Sequence, residues 1–445
     1  MSKTSLFGTS GIRGDAEILF TNQFCFDLGR TFVSFLRQDQ SQVNVAVGND
    51  PRESSPRIKN AFVSGMLFEG ADVYDQGVVS VPAMNYILLT DDLYTGSAMV
   101  TGSHIKPHLN GIKFFAFKEE ILKDHEAQIM AIYEEMKGKQ AYQDLSSKAI
   151  HEDRAKEAYK QYLLSSFKGP YPKWRVVVDP GNGAQSEIIP EVLEILGLDP
   201  LTINCDIQKS IICRDTEVED DFKDLKDYVK EVEADFAIGF DSDGDRVIFI
   251  DEEGNFVPGD YSGALIAKHL GGPKVATPIN TSQVVDHIGK EVVRTKVGSS
   301  QVVSAMKEDN LNFGFEANGG GIFTDMKSRD GGRSAIEILN ILAKSGKKFS
   351  DLVAELPKYY LYRDKVDYDW DLKDKIISQA KEEFKGVKTE EMDGLKIWID
   401  ESTWILFRSS SNAPEFRVFA ESNSQSKAVD LLKQGLQLVE KMVKV

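Results

Sequence analysis

Cysteine, histidine, positive charge and long apolar stretches are all scarce in this chain, and each scarcity removes a class of protein. Its three cysteines, Cys25, Cys205 and Cys213, show no Cys-x-x-Cys spacing. They read as reduced structural thiols of a reducing compartment. Of its six histidines, His125, His151, His269 and His287 lie far apart without ligand spacing and read as surface or cap residues, while His108 matches no pattern. No run of 18 apolar residues exists, which argues against a spanning helix. The opening Met1-Ser2-Lys3-Thr4-Ser5 has no apolar signal core, so a cytoplasmic location is expected. Lys and Arg number 53 against 70 Asp and Glu, a net charge of −17, which argues against nucleic acid as a partner. The same charge repels a small anion at long range. A site for one must therefore concentrate Arg, Lys or a metal cation locally.

What is present suggests about three domains from length alone. Val43, Val45 and Val47 alternate as a strand ending at Gly48, followed by a loop with Arg52 and a helical stretch from about Ser55 to Glu69. The same strand–loop–helix grammar returns at Arg175–Gly183, with an apolar helix near Ile188 to Leu196. It returns again at Val275–Ser282, where Thr281 or Ser282 can cap a helix. Three such units predict three related α/β domains. The Gly181-Asn182-Gly183 loop is no dinucleotide fingerprint, because the third glycine is missing. The C-terminal part differs. A charged helical stretch from Tyr368 to Phe384 is followed by strands at Leu395–Ile399 and Thr403–Phe407. A final helix then carries a core stripe at Val429, Leu432, Leu436, Val439 and Val443. The expected organisation is three α/β domains with mixed sheets, 1–150, 151–252 and 253–362. A smaller α+β domain, 363–445, is expected to act as a lid over a central cleft.

Four loops carry the chemistry. In Thr101-Gly102-Ser103-His104-Ile105-Lys106-Pro107 a hydroxyl sits on a tight turn between apolar runs, with Gly111 and Lys113 beyond it. In Asp241-Ser242-Asp243-Gly244-Asp245-Arg246 three carboxylates alternate between two strand-like runs, which puts hard oxygen ligands on one side of a turn. A calcium EF-hand is the rival, since Glu252 falls at loop position 12. It fails because Arg246 stands where the loop requires glycine and the flanks read as strands. Few ligands beside an arginine suit Mg²⁺. Gly314-Phe315-Glu316-Ala317-Asn318-Gly319-Gly320-Gly321 allows close backbone approach and offers Glu316 and Asn318 to sugar hydroxyls. Arg408-Ser409-Ser410-Ser411-Asn412-Ala413-Pro414 offers hydroxyl and N–H donors plus a planar guanidinium matched to phosphate. A hydroxyl nucleophile, a divalent cation, a sugar reader and an anion clamp together describe phosphoryl transfer on a phosphosugar.

These motifs, in this order from Phe7-Gly8-Thr9-Ser10-Gly11-Ile12-Arg13-Gly14 to the Arg408 loop, resemble the α-D-phosphohexomutase superfamily over essentially the whole chain. The resemblance implies that Ser103 is phosphorylated and touches the metal, and that Asp241, Asp243 and Asp245 hold Mg²⁺. It places His104, Lys113, Arg13 and Arg246 around the phosphoserine, with Lys113 a candidate general acid or base. Lys296, Glu316 and Asn318 match ligand-facing and sugar-hydroxyl residues; Arg408, Ser410, Ser411, Asn412 and Arg417 match the phosphate loop. It implies hexose phosphates as small-molecule partners, glucose 1,6-bisphosphate or an equivalent as activator, and a monomer or homodimer.

Three departures stand out. The usual Ser-His-Asn-Pro has lost its Asn, and Pro107 comes one residue late. The usual Glu-x-Ser-Gly, often followed by His, reads Glu316-Ala317-Asn318-Gly319-Gly320. The phosphate loop has Asn412-Ala413-Pro414. The missing His, and Ser10 where glucosamine mutases usually carry Asp, favour mannose and glucose phosphates over glucosamine phosphate. A phosphosugar phosphatase and a non-catalytic sugar-phosphate sensor are the rival readings. The acidic stretch Glu217–Asp227 reads as a solvated helix face, and the segment Cys205–Thr216 before it fits no pattern.

Overall fold

The computed structural model describes residues 6–8, 11–410 and 414–444. The first sheet runs Ile12–Asp15, Leu109–Ala116, Gly96–Val100, Asn44–Asn49, Asp72–Val78, Ile150–His151, with Glu119–Glu120 beside Leu109–Ala116. Asn44–Asn49 pairs in parallel with both neighbours, and Leu109–Ala116 turns antiparallel. The second sheet runs Phe256–Val257, Val247–Asp251, Phe236–Phe240, Arg175–Asp179, Asp199–Thr202; the third runs Glu291–Thr295, Lys274–Pro278, Phe313–Phe315, Gly321–Phe323. Both mix parallel strands with an antiparallel hairpin at the functional loop, and in the second Phe256–Val257 adds a further antiparallel pairing. Their central strands are buried on both faces, as helix-covered sheets require, which explains their unbroken apolar runs.

The expected helices form. Ser55–Phe68 begins with proline in its first turn, where the missing N–H has no partner to lose. Ile189–Ile195 follows the second-unit loop. Ser282 caps only a short 3-10 turn, Gln283–His287, accepting from the Val284 N–H. The Glu217–Asp227 stretch becomes a 3-10 turn and the helix Lys223–Glu231, which bury Phe222, Leu225 and Val229 beneath a charged outer face. No helix among the described residues is long and apolar enough to cross a membrane.

The sheets overrun the divisions read from the sequence. His151 pairs with Asp75 in the first sheet, Phe256–Val257 closes the second, and Tyr360–Asp367 is the edge of the fourth. Edge strands are assigned by their hydrogen-bonded neighbour, which local composition does not reveal. The first three units also share one continuous core. Met84 and Ile87, Tyr159 and Leu163, Ile238 and Phe249, and Ile336 and Leu339 belong to a single buried cluster. Their loops are therefore fixed relative to one another by packing.

The fourth unit has its own core and an antiparallel sheet, Tyr360–Asp367, Glu415–Ser422, Thr403–Ser409, Leu395–Asp400, Lys388–Glu390. The helices Lys373–Glu383 and Gln425–Val443 complete it. The final helix is turned from the expected stripe. Ala428, Leu431, Gly435, Leu438 and Val439 are buried, while Leu432, Leu436 and Val443 pack at the margin. Gly435 causes the turn, because a Cβ there would stand 2.6 Å from Ile405 and 2.7 Å from Val418, so the helix sits directly on the sheet through its bare backbone.

Polar ties attach this unit to the third. The buried Lys396 ammonium donates to the Ile279 carbonyl at 2.9 Å and lies over the Trp404 ring. Buried Glu421 accepts from the backbone and side chain of Gln283, both at 3.0 Å, and from the Trp404 indole at 2.7 Å. Beside them Asp260 accepts from the Ser282 N–H at 2.8 Å, and burial pushes its carboxyl up to about 7. The folded protein thus keeps a proton that the unfolded chain loses near pH 4, roughly the ordinary aspartate value. The associated stability is full below that point and is lost as pH rises through about 7. Asp260→Asn is expected to remove this decline. Between pH 5 and 8 the variant should gain on the order of 1–3 kcal/mol relative to wild type in denaturant unfolding. A constant difference across that range would refute the assignment.

Candidate active site

Three of the four predicted loops follow the carboxyl ends of central strands, Gly96–Val100, Phe236–Phe240 and Phe313–Phe315, where open α/β sheets place their ligands. Ser103 is fully buried and holds a left-handed backbone, φ 51°, uncommon for a residue with a side chain and typical of over-determined functional turns. The determining contacts come from a residue absent from the predicted set, Arg52. Its guanidinium donates to the carbonyls of Lys106 at 2.9 Å, Leu109 at 3.2 Å, Ile105 at 2.8 Å and Ser103. Asp50 neutralises it at 3.1 Å and also accepts from Thr101 Oγ1 at 2.9 Å and the Gly102 N–H at 3.0 Å. The loop that lacks the usual Asn is therefore wrapped around one buried arginine.

Ser103 Oγ donates to Asp241 Oδ2 at 2.8 Å and lies 3.3 Å from His104 Nδ1. Burial, with Arg246 and Arg13 nearby, pushes His104 well below its usual value, so its ring is neutral. Asp241, Asp243 and Asp245 are buried, with one oxygen from each lying within 4.8 Å of the others. Gly244, at φ 71°, turns the backbone between them. The flanks are strands, and Glu252 faces away to accept from Ser350, so the EF-hand rival is excluded.

The triad is held unequally. Lys113 Nζ lies 2.9 Å from Asp243 Oδ2 and 3.0 Å from Asp245 Oδ2. Arg329, a second residue not anticipated, donates to Asp245 Oδ2 at 2.8 Å and to Glu316 Oε2 at 3.0 Å. Burial opposes charge on Asp245, yet Arg329, Lys113 and Arg246 hold it far below the carboxylate range. Asp241, whose nearest cation is Arg246 at 3.9 Å, is driven well above that range by burial and its two acidic neighbours. Burial also works against the Lys113 charge, but Asp243 and Asp245 keep it protonated. Asp243 Oδ1 and Asp245 Oδ1 are buried with no hydrogen-bond partner. Two orphaned carboxylate oxygens beside Asp241 fit a small divalent cation, which would satisfy both.

The remaining predicted residues divide. Arg13, on the strand Ile12–Asp15 opposite Gly111, is half-buried and faces the charges of Arg246, Asp243, Arg329 and Asp245. Asn318 Oδ1 accepts from the Gly320 N–H at 3.2 Å, and its carbonyl accepts from Thr216 at 2.9 Å. Lys296 is exposed at the end of Glu291–Thr295, in contact with none of the triad. Arg408 lies opposite Arg417 in the strand register, and like charges at that spacing favour an anion between or above them. Arg408 Nε pairs with Asp393 at 2.9 Å, which also accepts from the Val297 N–H at 2.9 Å; Arg417 pairs with Glu415 at 3.1 Å. Ser410 is buried and its N–H donates to the Glu415 carbonyl at 2.9 Å. Ser411 and Asn412 lie outside the described residues.

Family models match three consecutive segments. The phosphoglucomutase/phosphomannomutase alpha/beta/alpha domains I, II and III cover residues 4–140, 157–254 and 258–360. The chain belongs to the α-D-phosphohexomutase superfamily. A phosphoglucomutase/phosphomannomutase of Thermococcus kodakarensis is 37% identical over 99% of both chains. A probable phosphoglucosamine mutase of Methanopyrus kandleri is 32% identical over 98% of both. Among solved structures, a phosphoglucomutase/phosphomannomutase family protein of Burkholderia thailandensis shares the fold with a TM-score of 0.84 and 22% identity, covering 99% of this chain and 98% of that one.

The segment Cys205–Thr216, unreadable in the sequence, has a clear role in this phosphohexomutase fold. Arg214 makes a two-pronged pair with Asp179 at 2.7 and 2.8 Å and stacks over Phe222, while Thr216 reaches Asn318 and the adjoining Glu217 pairs with Arg363 of the fourth unit. It bridges the second unit to the third and fourth. The three cysteines are free: Cys25 is buried, with burial pushing its thiol up to about 12, and Cys205 donates to the Ser186 carbonyl. Arg52→Lys is expected to loosen the serine loop, since one ammonium cannot reach four carbonyls. Amide exchange across 102–109 should speed by about tenfold or more, with roughly 1–3 kcal/mol lost in stability. Unchanged protection would show that the loop is held otherwise.

Proposed function

We propose that the protein is a phosphohexomutase interconverting hexose 1-phosphates and 6-phosphates through a phosphoserine at Ser103, with mannose and glucose phosphates as substrates. The observation that carries this reading is the hydrogen bond from Ser103 Oγ to Asp241 inside a buried triad with two unsatisfied carboxylate oxygens. Phosphorylated Ser103 transfers its phosphoryl group to the free hydroxyl of the sugar: the bond from phosphorus to Oγ breaks, a bond to the sugar oxygen forms, and the sugar's hydroxyl proton ends on Oγ, which becomes the hydroxyl bonded to Asp241. Lys113, kept protonated by its two aspartates, offers a positive charge and a proton at the transferring group. In the return step Oγ attacks the other phosphate, its bond to the sugar oxygen breaks, and the Ser103 proton, which Asp241 Oδ2 could accept with a cation keeping that carboxylate ionised, ends on the sugar oxygen. Mg²⁺ bound by Asp241, Asp243 and Asp245 would neutralise charge on the phosphoryl oxygens.

Between the two transfers the bisphosphorylated sugar turns end over end. Glu316 and Asn318 read its hydroxyls, Lys296 faces the ligand, and the Arg408 loop with Ser410, Ser411, Asn412 and Arg417 holds the distal phosphate. A hydrolase has no use for that second grip, which favours a mutase over a phosphatase. The loss of the loop histidine supports mannose and glucose over glucosamine phosphate. The Glu217–Arg363 tie supports the fourth unit as a lid that keeps water from the phosphoserine.

Incubation with Mg²⁺, a trace of glucose 1,6-bisphosphate and each of mannose, glucose and glucosamine 1-phosphates should show, by phosphorus NMR, conversion to 6-phosphates, fastest for the first two. Release of inorganic phosphate would identify a phosphatase, and no change would identify a sensor. Ser103→Ala is expected to abolish turnover with the fold intact. Asp243→Asn should lower turnover by about 10²-fold or more and weaken its dependence on added metal. Full activity in EDTA would remove the metal from the reaction.

A further inference from the structure

Position 320 is glycine, and its missing side chain has a specific occupant. A Cβ there would lie 2.6 Å from Arg329 Cδ, 2.9 Å from its Cγ and 3.0 Å from its Cβ. The aliphatic stem of Arg329 therefore lies across bare backbone. Its guanidinium, almost completely buried, spans Glu316 Oε2 and Asp245 Oδ2. We infer that Arg329 is the positioning residue of the sugar loop: it fills the space a side chain at 320 would take, aims the Glu316 carboxylate at the substrate, and ties it to the metal-facing Asp245.

The physical reasons are three. A carboxylate as buried as Glu316 needs a fixed partner, and Arg329 is the only cation bonded to it among the described residues. The planar guanidinium holds the two carboxylates from separate nitrogens at a fixed angle, whereas an ammonium such as that of Lys113 acts as a point charge on a flexible stem. The arginine also leaves Asp245 Oδ1 free, because it and Lys113 both use Oδ2. Sugar reading by Glu316 and cation loading at Asp245 thus share one side chain. Arg329 itself comes from the turn before the helix Gly331–Ser345, whose cap Asp330 accepts from the Arg333 N–H at 2.9 Å and from Tyr159. The arginine is thereby anchored from a rigid element.

The inference rests on the mutase reading, and a double-mutant cycle separates the two. Wild type, Arg329→Met, Glu316→Gln and the double variant are assayed with mannose and glucose 1-phosphates. Arg329→Met is expected to lower kcat/KM on the order of a hundredfold and to flatten the ratio between the two sugars. With Glu316→Gln already present, it should cost at least about fivefold less than it does alone, the remainder being the loss at Asp245. Arg329→Lys, which keeps the charge but not the fork, is run beside it with a thermal melt, and serves in the cycle if the Met variant does not fold. Equal losses in both backgrounds, or an unchanged sugar ratio, would overturn the role of Arg329. Absence of mutase conversion by wild type would instead remove the functional reading before any variant is compared.

Discussion

The site depends on one constraint: three aspartates buried in contact must be kept from repelling one another out of the fold. At this separation in a poorly solvated interior, like charges cost several kcal/mol. The protein meets the constraint asymmetrically. Lys113 and Arg329 crowd onto Asp243 and Asp245, while Asp241 has a distant guanidinium, the Arg246 N–H and the Ser103 hydroxyl. Asp245 is thus held charged, while Asp241 is left to answer to a cation or a proton. The acidic cluster and the Ser103 turn are built by the same imbalance.

That arrangement draws on every unit. The serine loop and Lys113 come from the first sheet, the aspartates from the second, Arg329 and Glu316 from the third. The shared core holds these three as one body. The fourth is attached through Lys396, Glu421, Asp393, the Glu217–Arg363 pair and a small apolar cluster around Trp404. A rigid three-part floor with a separately packed fourth part suits a reaction whose intermediate must turn over without leaving.

Much of this was legible in the residues and some of it could not have been. Asp241, Asp243 and Asp245 are readable because their chemistry lies within one turn, and strands with unbroken valine and isoleucine announce buried sheets. Ser103 is readable for the same local reason. Arg52 and Arg329 are not, since each works through carbonyls or carboxylates tens of residues away, and an arginine's burial leaves no trace in its own neighbourhood. The Cys205–Thr216 segment has no periodicity because its bonds go to distant loops, at Asp179, Gly181, Asn182 and Asn318, rather than to a repeating neighbour. The final helix misled by one step, because the residue that seats it, Gly435, has no side chain to count as apolar.

Thr101 carries one hydrogen and faces two carboxylates. Its Oγ1 lies 2.9 Å from Asp50 and 3.1 Å from Asp243 while accepting the Ser103 N–H at 2.8 Å. A hydroxyl can donate once, so at any instant one of these carboxylates goes without it. The Asp50 oxygen has Arg52 and the Gly102 N–H in reserve, and the Asp243 oxygen has Lys113. The cluster that shapes the Ser103 turn and the Asp241–Asp245 cluster are therefore joined by a single hydroxyl proton with two resting places, so a change of charge on one side is felt on the other without any atom heavier than hydrogen having to move.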